Sequence, residues 1–146
     1  MIKKLFTLLL VVVPFLLSAQ AYKKTPLDGK AFVLETLEDG KKKPLDPDDV
    51  KFNQGKFKSY VFSDPQWGFT KGGKYEITST DSTTKAGVII YTFTVDLLND
   101  GDDKLAWSGT IEGDAIEGTI ELINKKGVAK RTYTFTGDLK KKPGKK

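Results

Sequence analysis

Leu105-Ala106-Trp107-Ser108-Gly109-Thr110-Ile111-Glu112-Gly113-Asp114-Ala115-Ile116-Glu117-Gly118-Thr119-Ile120-Glu121-Leu122 alternates apolar and polar residues on both sides of a Gly-Asp pair. Alternation of period two is the pattern of a strand with one buried face, and Gly-Asp between two such runs predicts a two-residue hairpin turn. That turn pairs Glu112 with Ala115, Ile111 with Ile116, Gly109 with Gly118 and Trp107 with Ile120. One face then carries Leu105, Trp107, Gly109 and Ile111 opposite Ile116, Gly118, Ile120 and Leu122. The other carries Ala106, Ser108, Thr110 and Glu112 opposite Ala115, Glu117, Thr119 and Glu121. A slip of one residue would turn every apolar group into water, so the register is strongly specified.

The same phase spreads to both neighbours. A loop over Asn99-Asp100-Gly101-Asp102-Asp103 brings Leu97 opposite Leu105, Val95 opposite Trp107 and Phe93 opposite Gly109. On the other side, a turn over Asn124-Lys125-Lys126-Gly127 predicts Phe135 opposite Ile116, Tyr133 opposite Gly118 and Arg131 opposite Ile120. Further runs rich in β-branched and aromatic residues, bounded by Gly, Pro, Asp, Asn and Lys, give strands at Lys30–Leu37, Val50–Asn53, Lys56–Phe62, Lys74–Thr80, Gly87–Leu98, Lys104–Glu112, Ala115–Ile123 and Val128–Leu139. No long stretch shows helical periodicity. Eight consecutive strands with short connections predict an all-β fold, an antiparallel up-and-down eight-stranded barrel, with a two-sheet β-sandwich as the alternative.

Outside this region the chain is punctuated by its two ends. Lys3 and Lys4 precede Leu5–Leu17, a run that is apolar except for Thr7, and Ser18-Ala19-Gln20-Ala21 supplies small residues for cleavage. That is the layout of a secretory signal peptide over residues 1–21, with cleavage after Ala21 or after Ala19. The run is shorter than the ~20 residues of a membrane span, and without cysteine there is no lipoprotein acylation site. The expectation is a soluble, monomeric periplasmic or extracellular protein. Residues 22–139 have the length of one typical domain. Lys140-Lys141-Lys142-Pro143-Gly144-Lys145-Lys146 reads as a disordered basic tail over 140–146.

Composition then narrows the chemistry. The chain has no histidine and no cysteine, and its one methionine is the first residue. Zinc, copper and haem sites with their usual ligands are excluded, as are Ser-His-Asp and Cys-His nucleophiles, so no metal, no cofactor and no enzymatic activity are expected. Disulfides cannot help either, which leaves packing and strand pairing to hold the fold. The net charge of +5 is carried by the ends: without the signal and the tail, 17 basic residues stand against 19 acidic. The lysine tail has no interleaved aromatics and so points away from sequence-specific nucleic-acid binding, though it suits weak attraction to an anionic envelope surface.

The candidate site residues follow from the inward face. Phe93, Gly109, Gly118 and Tyr133 form one row, in which paired glycines either permit strand coiling beneath filling rings or widen the interior for a ligand. Arg131, the one arginine, is placed inward between Ala129 and Tyr133. There it either stacks on Trp107 and closes a barrel end or anchors an anionic head group. Trp67 and Phe69, in the loop Ser63-Asp64-Pro65-Gln66-Trp67-Gly68-Phe69, either cover a barrel end or form a portal or partner patch. Asp46-Pro47-Asp48-Asp49 and Asn99–Asp103 sit where turns are required and lack calcium-loop spacing, which assigns them to turn chemistry.

Four segments resemble the lipocalin-like (calycin) group, and more closely small exported bacterial β-barrel proteins. They are Leu27-Asp28-Gly29-Lys30-Ala31-Phe32, Phe57-Lys58-Ser59 with Trp67-Gly68-Phe69, Trp107 through Thr119, and Tyr133-Thr134-Phe135-Thr136-Gly137. Together they span most of residues 22–139. Lipocalins open with a G-x-W motif covered by a basic residue from a late strand; here Phe32 stands one place later than that tryptophan, and Arg131 fits the covering role. The resemblance implies a barrel that binds a small apolar or amphipathic molecule in its interior, through Phe93, Trp107, Gly109, Gly118, Tyr133 and Arg131. The competing expectation is a ligand-free interaction or structural module acting at the envelope through the Trp67/Phe69 loop or the lysine tail.

Overall fold

In a computed structural model, which describes residues 23–82 and 87–142, Glu112 pairs with Ala115 across a turn in which Gly113 takes φ +59°. A positive φ at the first central position is what a II′ hairpin needs, and glycine provides it without a Cβ clash. From this hairpin the alternation propagates into eight strands: β1 (Ala31–Glu38), β2 (Asp48–Asn53), β3 (Lys56–Ser59), β4 (Gly73–Ser82), β5 (Ile89–Leu98), β6 (Lys104–Glu112), β7 (Ala115–Ile123) and β8 (Ala129–Leu139). Each is antiparallel to the next, and β1 closes on β8 through pairs such as Thr36 with Phe135 and Phe32 with Leu139. The fold is a closed up-and-down barrel, not a sandwich. Residues 1–22, which include the expected signal peptide, and residues 143–146 of the expected basic tail lie outside the described residues.

The β5–β6 and β6–β7 registers match the sequence expectation pair for pair. The β7–β8 register does not. Gly118 faces Phe135, Ile120 faces Tyr133 and Leu122 faces Arg131, two residues away from the predicted partners. Two one-residue steps account for this. Asn124 closes the turn on Val128, its Oδ1 accepting the N–H groups of Lys126 and Val128 at 3.0 Å each, so the loop itself is Lys125-Lys126-Gly127. Lys130 is then left out of the ladder as a bulge between the pairs Ile123–Ala129 and Leu122–Arg131. Two steps preserve the face, so the inward residues of β8 are those that the alternation predicts while their partners differ.

Inside, rings fill the barrel. Phe52 meets Phe32, Phe57, Tyr75 and Phe93 edge-on at centroid distances of 6.1, 5.1, 5.0 and 5.2 Å. Trp107 meets Phe57, Phe62 and Phe135 at 4.8, 5.8 and 5.2 Å. Such offset and edge contacts add to the area term and give a cysteine-free chain its core.

The two barrel ends differ. At the end carrying the β2–β3 and β6–β7 turns, residues 25–30 fold back, burying Leu27 and continuing the β1–β2 ladder from Gly29 and Lys30 to Phe52. Asp28 ties this segment down, accepting from Thr25 N at 2.8 Å, Gly55 N at 3.0 Å and the Tyr75 hydroxyl at 2.7 Å. At the opposite end β3 stops at Ser59, earlier than predicted, and the chain turns so that Phe62 and Phe69 drop into the core.

Candidate functional site

The residues assigned to an interior ligand wall are found in contact with other side chains. Phe93 and Tyr133 are fully buried and Trp107 is 2% exposed. The glycine row reads Phe93, Gly109, Gly118, Phe135, with Phe135 where Tyr133 was expected. The space left by the glycines holds rings: a Cβ on Gly109 would stand 2.9 Å from Phe135 Cζ and 3.0 Å from Phe93 Cε1, and one on Gly118 2.7 Å from Phe135 Cζ. The paired glycines therefore serve aromatic packing and close strand approach.

Arg131 keeps the inward phase but has run out of barrel. Its side chain is half exposed at the rim, Nε lying 3.8 Å from Glu38 Oε1. The adjoining Tyr133 hydroxyl, and then Glu38, push the pKa of the guanidinium above its ordinary value. Burial, countered by that guanidinium, pushes the Tyr133 phenol above its ordinary value. The expected stack on Trp107 is replaced by this rim position, a consequence of the two-residue offset in β8. Trp67 is half-buried against Phe62 and Tyr133, with centroids at 5.0 and 6.5 Å, and Phe69 is 2% exposed. Both cover the same barrel end.

Asp48 departs from the turn chemistry its sequence context predicts: it is 1% exposed at the start of β2. Its Oδ2 accepts the Ser59 hydroxyl at 2.5 Å and its Oδ1 the Val61 N–H at 2.9 Å, while Ser59 Oγ accepts from Phe62 N at 3.1 Å. Burial raises its carboxyl above the ordinary value despite these donors. The group is a latch holding the 60–69 turn over the barrel end. Asn99 does perform turn chemistry, its Oδ1 accepting from Gly101 N at 3.0 Å and Asp103 N at 2.9 Å.

No family model, no characterised protein and no solved structure matches this chain. Function must be argued from its own surface.

There, one end of the barrel stands out. Lys30, Lys51, Lys140, Lys141 and Lys142 surround a hollow of about 520 Å³ together with Gly29, Ala31 and Leu139. Three chain regions build it: the entry to β1, the outward face of β2 and the exit from β8. Lys140 is not part of a free tail, because its N–H bonds the Ala31 carbonyl at 2.8 Å and its Nζ meets Asp49 at 2.9 Å. The other four lysines have no carboxylate within salt-bridge distance among the described residues. Moreover Lys51 stands directly opposite Lys58 across β2–β3, and Lys56 opposite Lys74 across β3–β4. Like charges in that position repel, so this side of the barrel concentrates positive charge at a cost in stability.

Proposed function

We propose that this is an exported, non-catalytic β-barrel whose interior serves stability and whose binding is done from outside, at an anionic component of the cell envelope. The observation that carries this reading is the filled interior, where Phe52, Phe57, Phe93, Trp107 and Phe135 pack ring against ring beneath the paired glycines. The lysine-bearing end supplies the complementary charge. Retention on envelope membranes of the full chain against a chain ending at Lys140, at low and high salt, tests it. The cut leaves the Lys140–Ala31 pair intact. Retention should fall on truncation and in salt; retention indifferent to both refutes the reading.

One observation favours a second reading, an interior guest as in lipocalin-like proteins. Thr36 Oγ1 and Trp107 Nε1 are buried without a hydrogen-bond partner among the described residues, and the buried Tyr133 Oη has only the rim guanidinium of Arg131 beside it, whereas buried polar groups are usually satisfied. A small polar or amphipathic molecule held beneath Trp67 would satisfy them. Native mass spectrometry of protein from its own source, with a panel of lipid probes, distinguishes the two: a stoichiometric guest that quenches Trp107 supports this reading, and the bare chain mass removes it.

A further inference from the structure

The lysine hollow has an apolar neighbour. Val88, Ile89, Tyr91 and Ile111 line a second hollow of about 240 Å³, and Lys30 borders both. Ile89 is 42% exposed there, and along the same inward face of β5 Tyr91 is partly buried before Phe93 enters the core. Cationic and apolar surfaces thus meet at one lysine on one end of the barrel. The carboxylates on the strands and turns of this end are Asp49, taken up by Lys140, Asp28, held by Gly55 N–H and the Tyr75 hydroxyl, and Asp138, Asp114, Glu112 and Asp81, which lie on the β4–β8 side of the lysines.

From this juxtaposition we infer that the barrel end formed by Lys30, Lys51, Lys140 and Ile89 docks on an anionic phospholipid bilayer. The lysines take the phosphate-bearing head group, and Ile89 and Tyr91 sit toward the acyl boundary. Two features argue for a bilayer over a soluble anion. The charge is spread over several lysines without a buried donor to enclose a small ion, and the apolar hollow beside it has no use for inorganic phosphate. Lysine suits this role because its ammonium acts as a mobile point charge on a long apolar stem. Strand pairing fixes the positions of Lys51 and Lys140, so the site is presented by the fold and needs no tail to order on binding. The inference rests on the surface reading proposed above.

The experiment is flotation of the processed protein with vesicles of phosphatidylcholine alone and of phosphatidylcholine with phosphatidylglycerol. It compares the wild type with two charge-matched variants. Lys30→Gln/Lys51→Gln/Lys140→Gln removes the site. Lys41→Gln/Lys42→Gln/Lys43→Gln removes three lysines from the β1–β2 loop at the other end. Each lysine near an anionic surface contributes about 5-fold, so the first variant should lose about 100-fold in partition and the second little. Ile89→Asn should weaken binding without changing its salt dependence. Equal losses in both triple variants would mean diffuse attraction and overturn the site, as would displacement of the wild type by inorganic phosphate at matched ionic strength. A wild type that ignores anionic vesicles yet stays on envelope membranes overturns the lipid inference alone; one that ignores both overturns the surface reading as well.

Discussion

Gly118→Ala is the substitution that weighs packing against ligand space most sharply. Its new Cβ would stand 2.1 Å from the Ser108 carbonyl oxygen, 2.6 Å from Gly109 Cα and 2.7 Å from Phe135 Cζ. The ring can tilt, but the first two contacts are backbone of the paired strand and can only be relieved by prising β6 from β7. Overpacking of this kind costs about 3 kcal/mol, the upper part of its usual range. Against a stability of roughly 5–15 kcal/mol for a domain of this size that is a large loss. In urea, followed by tryptophan fluorescence, a slope of about 1.5 kcal/mol/M converts it into a midpoint lower by about 2 M. The melting temperature should drop by about 10 °C. Combining Gly118→Ala with Phe135→Leu should recover only the part due to the ring, because the Ser108 carbonyl is still in place. A Gly118→Ala midpoint within about 0.3 M of wild type would mean that the glycines border open space and not packed rings.

The two aspartates should give opposite pH dependences. Asp48, raised above 3.8 chiefly by burial, favours the fold in its protonated form; its contribution is full below pH 3.8 and is lost as pH rises through the raised value. Asp28 is also pushed up by burial, but the Gly55, Thr25 and Tyr75 donors outweigh this and lower it. Its contribution is present above pH 3.8 and lost as pH falls through the lowered value. Urea midpoints across acid pH for wild type, Asp48→Asn and Asp28→Asn check both signs. Tyr75, pushed up to about 12 mainly by burial, contributes stability below pH 10 that is lost between pH 10 and about 12, and Tyr75→Phe should lack that component. At neutral pH Tyr75→Phe should cost about 1 kcal/mol by chemical denaturation. Phe52→Ala, removing the ring at the centre of the core, should cost about 3–5 kcal/mol and open a cavity that takes up a benzene-sized probe the wild type rejects.

The strands were legible where a turn with strict geometry set the phase. Gly113-Asp114 fixed β6–β7, and β5 followed because Asn99 closes its loop as an asparagine turn should. The β7–β8 offset was not legible, since whether Asn124 is the last strand residue or the first turn residue depends on its side-chain bonds, and the Lys130 bulge leaves no mark in the apolar pattern. Asp48 looked like one more turn carboxylate among Asp46, Asp48 and Asp49; only the alternation Asp48, Val50, Phe52 hints that it faces inward. The lysine hollow was half visible. Lys140–Lys142 stood out as a basic run, but Lys30 and Lys51 join them only because β1 closes the barrel between β2 and β8.

The lysine-end reading has two halves: binding occurs at that end, and it does not occur within the barrel. Titrating a soluble short-chain phosphatidylglycerol into isotopically labelled protein, and following backbone amides with the Trp107 indole N–H, tests both halves at once. Binding at the lysine end should shift Gly29, Lys30, Ala31, Lys51, Ile89 and Leu139 to Lys142 and leave the Trp107 indole unmoved. Shifts concentrated at the Trp107 indole, Phe93 and Tyr133, with the lysine end silent, would contradict it.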